Sequence, residues 1–139
     1  MTSMNDEIIE SFRNNAGVVG GPFEGKRLVL LHHTGRRTGQ ERVTPLVAAS
    51  DGDSYLVCGS LGGGPEDPLW VANVEEGPGQ TTIEVGDRTV PAKTTVIRPT
   101  EPEWERLYGI WKTYWPDAAQ YETRTTRKFP IVRLDPLAA

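Results

Sequence analysis

The sequence contains little of the material from which disulfides and metal centres are built. Its 139 residues include one cysteine, Cys58, and two histidines. One cysteine excludes an internal disulfide, and no paired spacing of cysteine or histidine predicts a zinc site. We therefore expect no bound metal, and a reducing compartment, the cytoplasm.

Long apolar runs are also missing. No window approaches the ~20 apolar residues of a membrane span, and the N-terminal segment lacks the basic start and apolar centre of a signal peptide. We expect a soluble protein without a transmembrane segment. The sequence leaves open a peripheral contact of the N-terminal helix with the inner face of the membrane.

The established nucleotide motifs are absent, since neither GxxxxGK[ST] nor GxGxxG occurs. The net charge of -4 argues against a nucleic-acid partner. The length and the 37% of hydrophobic residues predict one compact domain with one core. A small-molecule partner is the class that these absences favour.

The most informative segment that is present spans residues 28–46, where two β-prone runs flank a loop with Arg36 and Arg37. Free backbone N–H groups, a permissive backbone and fixed positive charge together predict a site for a phosphate or carboxylate. Alone, the two arginines would fit solvated surface charge equally well. The neighbours that favour anion binding are Gly35, Thr38, Gly39, Gln40 and Arg42.

His32 and His33 are adjacent at the end of a predicted strand. Their side chains point to opposite faces, so the two cannot bind one metal ion in regular strand geometry. A packed or hydrogen-bonded histidine is the usual outcome, with one of the pair lining a ligand site. We assign His32 to that site.

Ser60 follows a predicted strand and resembles a hydrolase nucleophile only loosely, because Cys58 stands where GxSxG requires glycine. A serine that forms a turn or binds a ligand is the favoured interpretation. Cys58 itself is expected to be a small buried hydrophobic residue.

Periodicity and turn residues predict about six antiparallel strands with peripheral helices. The strands cover residues 27–33, 43–50, 54–59, 81–85, 89–97 and 129–134, the first three forming a meander, and Pro91 indicates an edge or a bulge. This mainly β pattern predicts a small, partly closed antiparallel barrel rather than a doubly wound parallel sheet.

Four helices complete the prediction. The first covers residues 6–14, and the second is short, with Asp67 as its N-cap and Pro68 at its first position. Thr100 and Glu103 form a capping-box pattern before the third, and the fourth is polar and ends near residue 126. The aromatic residues of the last two and the turn between them are Trp104, Tyr108, Trp111, Tyr114, Trp115 and Tyr121. The first three are core residues by spacing, whereas Trp115 and Tyr121 fit either the core or a cover over a planar ligand.

Four ordered motifs resemble one family. They are the TGRRTGQxRxxPL block at residues 34–46, Gly59-Ser60-x-Gly-Gly, Asp67-Pro68-Leu69-Trp70-x-x-Asn73, and Phe129-Pro130-Ile131-Val132. Together they span about residues 24–136 and resemble the deazaflavin-dependent nitroreductase or quinone-reductase family. The resemblance implies a split β-barrel, related to flavin-binding pyridoxamine-oxidase-like domains, at residues 23–139 after an N-terminal helix and connector at residues 1–22.

The implied activity is hydride transfer from reduced coenzyme F-420 to an electron-poor acceptor such as a quinone, an activated enone or unsaturated lactone, or a nitro compound. The coenzyme supplies the hydride chemistry, so the protein needs to supply orientation, a water-poor cleft and hydrogen-bond donors. This explains the absence of a triad or metal set.

The resemblance also implies roles for residues. The anionic tail of the coenzyme is expected on Arg36, Arg37, Thr38, Gly39, Gln40 and Arg42, and its ring beside Val43, Thr44 and Pro45. Ser60 and Leu61 begin a glycine-rich loop, while Trp70 and Asn73 close the site. Ser60 and Tyr121 are the candidate catalytic donors to the acceptor oxygen.

Two departures from the nitroimidazole-activating members of the family concern the acceptor. Leu61 replaces a basic residue, and the places of three tyrosines are held by Trp115, Ala118 and Tyr121, which we assign to the substrate site. Because one basic residue and two tyrosines are replaced, we expect a wider, more apolar acceptor pocket that suits quinones, enones or lactones. The sequence leaves two alternatives open, a non-catalytic carrier or sensor of the cofactor and an FMN enzyme of the related barrel group.

Overall fold

The computed structural model describes residues 4–137 and gives seven strands and four α-helices in this range. The strands are β1 (Leu28–Thr34), β2 (Glu41–Val47), β3 (Ala49–Asp51), β4 (Ser54–Cys58), β5 (Gln80–Val85), β6 (Arg88–Ile97) and β7 (Ile131–Pro136). The helices are α1 (Met4–Asn14), α2 (Leu69–Glu75), α3 (Trp104–Tyr114) and α4 (Ala118–Glu122).

All seven strands belong to one antiparallel sheet with the order β2-β1-β5-β6-β7-β4-β3. Its two edge strands, β2 and β3, are consecutive in the chain and separated by Ala48 alone. The sheet must therefore curl until its edges are neighbours. This confirms the predicted split β-barrel, with seven strands instead of about six.

The extra strand arises where the sequence predicts one strand over residues 43–50. Up to Val47 the backbone pairs with β1, and from Ala49 onward it pairs with β4. The predicted three-stranded meander is therefore wrong in detail, because the middle strand changes partner at Ala48 and β4 takes β7 as its second neighbour.

Pro91 lies inside β6, an interior strand, and not on an edge. Its carbonyl accepts a hydrogen bond from the backbone N–H of Leu137, so the missing proline N–H faces the β7 side of the strand. The ladder between β6 and β7 begins only at Ala92, so the missing donor falls just beyond its end. The strand therefore tolerates the proline without a bulge.

Both predicted helix caps are wrong. Pro68 occupies the N-cap of α2, and Glu103 occupies that of α3, in each case without a side-chain capping hydrogen bond. The carboxylate that was expected to cap α2, that of Asp67, instead forms ion pairs with Arg98 and Arg127. The polar fourth helix ends at Glu122, earlier than predicted.

The core lies on both faces of β1. Val29 and Leu31 pack with α2 inside the curled sheet, whereas Leu28 and Leu30 pack against Phe12 of α1. A third cluster joins α3 and α4 to the sheet and contains Trp111 and other aromatic residues. Within residues 4–137, no helix is long and apolar enough to cross a membrane.

Candidate functional site

A cleft of about 1230 Å³ opens between the β1–β2 hairpin, the glycine-rich loop at residues 59–64, and helices α1, α2 and α4. It gathers most of the residues that the sequence assigns to the site. Those on its lining are Arg36, Arg37, Thr38, Arg42, Thr44, Pro45, Ser60, Leu61, Trp70, Asn73, Trp115 and Tyr121.

The remaining assigned residues lie elsewhere. His32 and Gly39 line a neighbouring cavity of about 640 Å³ on the other side of the hairpin. Val43 packs against the α1 cluster, and Ala118 is fully buried among core aromatic residues, so neither reaches the cleft. Gln40 is exposed at the end of the hairpin loop.

The hairpin loop holds its backbone in a fixed shape at one end of the cleft. Gly35 N–H donates to the Gln40 carbonyl and Gly39 N–H to the Gly35 carbonyl, both at 2.8 Å. Gly39 has φ +71°, which favours glycine. Within residues 4–137 no acceptor meets the backbone N–H groups of Arg37 and Thr38. These amides are available to an anion.

The charges of this loop are only partly compensated. Arg36 forms an ion pair with Glu76, the residue that follows α2, with Nε 3.2 Å from Oε2. Arg37 and Arg42 have no carboxylate partner among the described residues, although both line the cleft. The combination of free amides and two uncompensated guanidinium groups fits the negatively charged end of a ligand.

The two histidines have different surroundings. His32 lies on the outer side of the hairpin, where its Nδ1 is 2.9 Å from Glu41 Oε1 and its Nε2 is 2.6 Å from Glu84 Oε2. His33 is buried and lines the cleft. The structure thus places His33 in the cleft position that we assigned to His32.

A chain of hydrogen bonds, here called the His33 bridge, crosses the cleft wall through Arg36, Asn73, His33 and Thr44. The backbone N–H of Arg36 donates to Asn73 Oδ1 at 3.1 Å. Asn73 Nδ2 is 3.0 Å from His33 Nδ1, and His33 Nε2 is 2.8 Å from Thr44 Oγ1. Burial, and then the positive charge of Arg42, lower the pKa of His33, so the imidazole is neutral near pH 7.

Arg127 binds the backbone carbonyls of the glycine-rich loop. Its guanidinium donates to the carbonyls of Gly59, Ser60 and Gly64 at 3.0 to 3.1 Å, and to Asp67 Oδ1 at 2.6 Å. Among the described residues, the hydroxyl of Ser60 has no hydrogen-bond partner. The main chain of Ser60 is therefore fixed while its side chain is available to a ligand.

Leu61 stands beside Ser60 in a left-handed backbone conformation, with φ +47°. Such a conformation costs a leucine about 1 kcal/mol or more. The carbonyls on both sides of it are those that Arg127 holds, which stabilises the strained turn. The side chain of Leu61 is 58% exposed, and it lies at the mouth of the cleft.

The opposite end of the cleft is aromatic. Trp115 Nε1 donates to the Tyr121 hydroxyl at 3.1 Å, and the Trp115 ring stacks on Phe23 with centroids 5.9 Å apart. Because the Tyr121 oxygen accepts this bond, its own proton is free to be donated. Trp115 thus belongs to the core and to the lining of the cleft at once.

The arrangement does not resemble a hydrolase site. Both ring nitrogens of His33 are engaged within the His33 bridge, and no other base is bonded to Ser60 among the described residues. Cys58 lies at the floor of the cleft, where burial raises the pKa of its thiol well above the usual value. A neutral thiol of this kind is a packing group and not a nucleophile.

Sequence reasoning missed two residues of this site. His33 was not assigned to the site because its neighbour His32 has the same side chain. The two differ only in which face of the strand they occupy, and the sequence did not show which face lines the cleft. Arg127 lies in a polar run with no periodicity, so its position below the loop had no signal in the sequence.

A curled antiparallel sheet with a cleft that is basic at one end and aromatic at the other defines a split-barrel protein for an anionic, planar ligand. The model of the F420H(2)-dependent quinone reductase family matches residues 5–136. The chain belongs to this family. It is therefore a coenzyme F-420-dependent oxidoreductase, and reduced coenzyme F-420 is its hydride donor.

Individual relatives agree with this assignment. An F420H(2)-dependent quinone reductase of Mycobacterium tuberculosis strain H37Rv is 34% identical over 125 residues, which cover 88% of this chain and 83% of the relative. The solved structure of an F420-H2 dependent reductase superposes with a TM-score of 0.66 and 29% identity, over 78% of this chain and 93% of that one.

The fold extends to more distant proteins. The haem storage protein HutZ of Vibrio cholerae superposes with a TM-score of 0.61 over 94% of this chain and 89% of its own. Its sequence is only 14% identical, so this likeness concerns the fold alone.

Proposed function

We propose that the chain transfers a hydride from reduced coenzyme F-420 to a quinone, or to another electron-poor planar acceptor such as an activated enone, an unsaturated lactone or a nitro compound. The observation that carries the proposal is a single cleft in which free amides and uncompensated arginines adjoin an apolar, aromatic wall. When bound, the coenzyme supplies the hydride. The residues of the chain supply binding, orientation and hydrogen-bond donors.

The basic end of the cleft is the place for the phosphate and glutamate groups of the coenzyme. Arg37 and Arg42 contribute charge that no carboxylate of the described residues neutralises. The N–H groups of Arg37 and Thr38 add two donors with fixed directions. Charge-assisted hydrogen bonds are the strongest class that a surface loop offers to an anion.

Thr44 and Pro45 extend from this end along β2 and line the cleft as far as its apolar floor. A rigid strand is suited to orient a ring system, because its side chains lose little freedom when the ring binds. Trp70 of α2 is buried at the same wall and limits the access of water.

The hydroxyls of Ser60 and Tyr121 are the proposed donors to the acceptor. Negative charge develops on an acceptor oxygen as it receives the hydride, and two neutral donors stabilise that charge. Neither hydroxyl proton has an acceptor among residues 4–137. Both can therefore turn toward a bound substrate at no cost in internal hydrogen bonds.

The surroundings of these donors favour an apolar acceptor. Phe23, Trp111 and Trp115 form the wall, and Leu61 stands at the mouth. Ala118 is buried in the aromatic core behind this wall and adds no polar group to the cleft. A flat, weakly hydrated ring such as that of a quinone matches such a surface.

Two variants test the roles of the donors. Ser60→Ala and Tyr121→Phe should each lower kcat, on the order of 10²-fold, because an oxyanion donor acts mainly in the transition state. Affinity for the coenzyme, measured by titration, should change little. Ser50→Ala and Tyr55→Phe are matched controls, since neither residue lines the cleft. Full kcat/KM in both site variants on every acceptor tested would disprove these roles.

Direct titration distinguishes the remaining alternatives. We expect coenzyme F-420 to bind more tightly than FMN, because the uncompensated arginines favour the longer and more highly charged tail. We also expect turnover with a quinone panel. Tighter binding of FMN, or binding of coenzyme F-420 without turnover of any acceptor, would contradict the proposed reaction.

A further inference from the structure

The hydrogen bonds of the His33 bridge have only one consistent polarity. A backbone N–H can only donate, so the atom of Asn73 that meets Arg36 is the carbonyl oxygen. The amide nitrogen of Asn73 then faces His33 and donates to Nδ1. A nitrogen that accepts carries no proton, so the proton of the neutral ring is on Nε2 and is donated to Thr44 Oγ1.

This polarity determines what Thr44 can offer. Its oxygen accepts the bond from His33, which directs the hydroxyl proton away from the imidazole. No acceptor for that proton exists among residues 4–137, and Thr44 lines the cleft. The Thr44 hydroxyl proton is therefore available as a hydrogen-bond donor to a ligand in the cleft.

We propose that His33 is a positioning residue that holds the Thr44 hydroxyl as a hydrogen-bond donor to an oxygen or nitrogen atom of the coenzyme ring system. The inference rests on the proposed function, since it takes the cleft as the coenzyme site. It adds that the ring is recognised through a side chain whose direction is set by an imidazole of one tautomer.

The same chain of bonds ties two parts of the site together. Arg36 begins it in the anion-binding hairpin, and Thr44 ends it beside the ring wall. Asn73 connects both to α2, so one network fixes the distance between the tail end and the ring end of the cleft. Such preorganisation reduces the ordering cost of binding.

Asparagine and glutamine each reproduce one half of an imidazole. His33→Asn places an acceptor near the position of Nδ1 and removes the donor to Thr44. His33→Gln places an amide nitrogen near the position of Nε2 and removes the acceptor for Asn73. The proposal therefore expects His33→Asn to weaken coenzyme binding and His33→Gln to retain most of it.

We expect Thr44→Val and His33→Asn each to raise the dissociation constant of oxidised coenzyme F-420 by about five- to tenfold, the equivalent of one hydrogen bond. The double variant should bind no more weakly than Thr44→Val alone, because His33 acts through Thr44. Thr89→Val, on the exposed start of β6, is the matched control. Additive losses in the double variant would overturn the proposal.

Nitrogen NMR of the coenzyme-free protein provides a second readout. We expect His33 to show a protonated Nε2 and an unprotonated Nδ1 near neutral pH, and the opposite tautomer would overturn the proposal. A wild-type protein that shows the expected tautomer but binds no coenzyme would refute the proposed function, and with it the assigned ligand. If the wild type binds the coenzyme but the losses of the two single variants add in the double variant, only the proposed role of His33 is refuted.

Discussion

Gly63 lies directly against the backbone of Tyr121. A Cβ atom on residue 63 would stand 2.6 Å from the Tyr121 carbonyl oxygen and 2.9 Å from its Cα. The glycine-rich loop that carries Ser60 and the short helix that carries Tyr121 therefore touch through their main chains. The two proposed donors to the acceptor are held relative to one another by this contact.

Replacing Gly63 should separate the loop from α4. Gly63→Ala meets both the left-handed backbone, with φ +86°, and the collision with Tyr121. We expect a loss of about 3 kcal/mol in the free energy of unfolding, measured with urea. Gly79→Ala is the matched control, because Gly79 has φ +79° and no atom within 4 Å of the added Cβ. Equal losses in the two variants would show that the contact contributes nothing.

Removing Arg127 should leave the carbonyls of Gly59 and Gly64 without a donor. The Ser60 carbonyl and the Asp67 carboxylate should each lose one of two donors, since Gly63 N–H and Arg98 remain. We expect Arg127→Ala to lower the free energy of unfolding by about 3 kcal/mol, and Arg127→Lys to recover only part of it, because an ammonium cannot span the same acceptors. Arg106→Ala breaks an exposed pair with Asp51 and should cost no more than about 1 kcal/mol. A similar cost for Arg106 and Arg127 in urea unfolding would contradict this account.

The arginines of the hairpin should differ in their contribution to coenzyme binding. Arg37→Ala and Arg42→Ala should each weaken binding by about 1 to 3 kcal/mol, with a smaller effect at high salt. Arg36→Ala should cost less, since Glu76 already neutralises part of its charge. Titration at two salt concentrations measures this, with Arg88→Ala as a control outside the cleft. Unchanged affinity in all three hairpin variants would place the anion elsewhere.

Acid should destabilise the protein through His33. Its pKa is lowered in the folded state, so below about pH 6.5 the unfolded chain binds a proton that the folded chain does not. The contribution of His33 to the free energy of unfolding is fully present above that pH, and it is lost as the pH falls toward the lowered pKa of the folded state. We expect the urea midpoint to fall between about pH 7.5 and pH 5.5 more steeply in the wild type than in His33→Gln.

The comparison with His33→Gln isolates this residue from other groups that titrate nearby. Besides His33, the charged or titratable side chains around the same two cavities are His32, Arg36, Arg37, Glu41, Arg42, Cys58, Glu66, Asp67, Glu76 and Tyr121. All of them are present in both proteins, so their contribution cancels in the difference. Parallel pH curves would contradict a lowered pKa for His33.

Local patterns in the sequence were sufficient for most of the elements. The helical spacing of Trp104, Tyr108 and Trp111 identified α3, and the glycines and arginines between two β-prone runs identified the hairpin. In each case the signal lies within a few residues of the structure it predicts. The strand pattern also predicted a partly closed barrel, and the family resemblance specified a split β-barrel, which is confirmed.

Contacts between distant segments set the limits of the prediction. Asp67 fails to cap α2 because Arg98 and Arg127, remote in sequence, take its carboxylate. The two histidines could not be told apart by strand parity, because both faces of β1 are apolar and buried. The roles assigned to individual site residues, the division at residue 22 and the cytoplasmic location remain predictions.

Pro45 has a consequence for the solution behaviour of the protein. It lies within β2, an edge strand of the sheet, opposite Leu30 of β1. The hydrogen bonds from Gly35 N–H to Gln40 and from Ala48 N–H to Arg27 set the alternation of this ladder, so the missing N–H of Pro45 faces away from β1, in the outer row of the edge. Proline and charged side chains on edge strands hinder the addition of strands from other molecules. A residue that lines the cleft thus also helps to protect the sheet from aggregation.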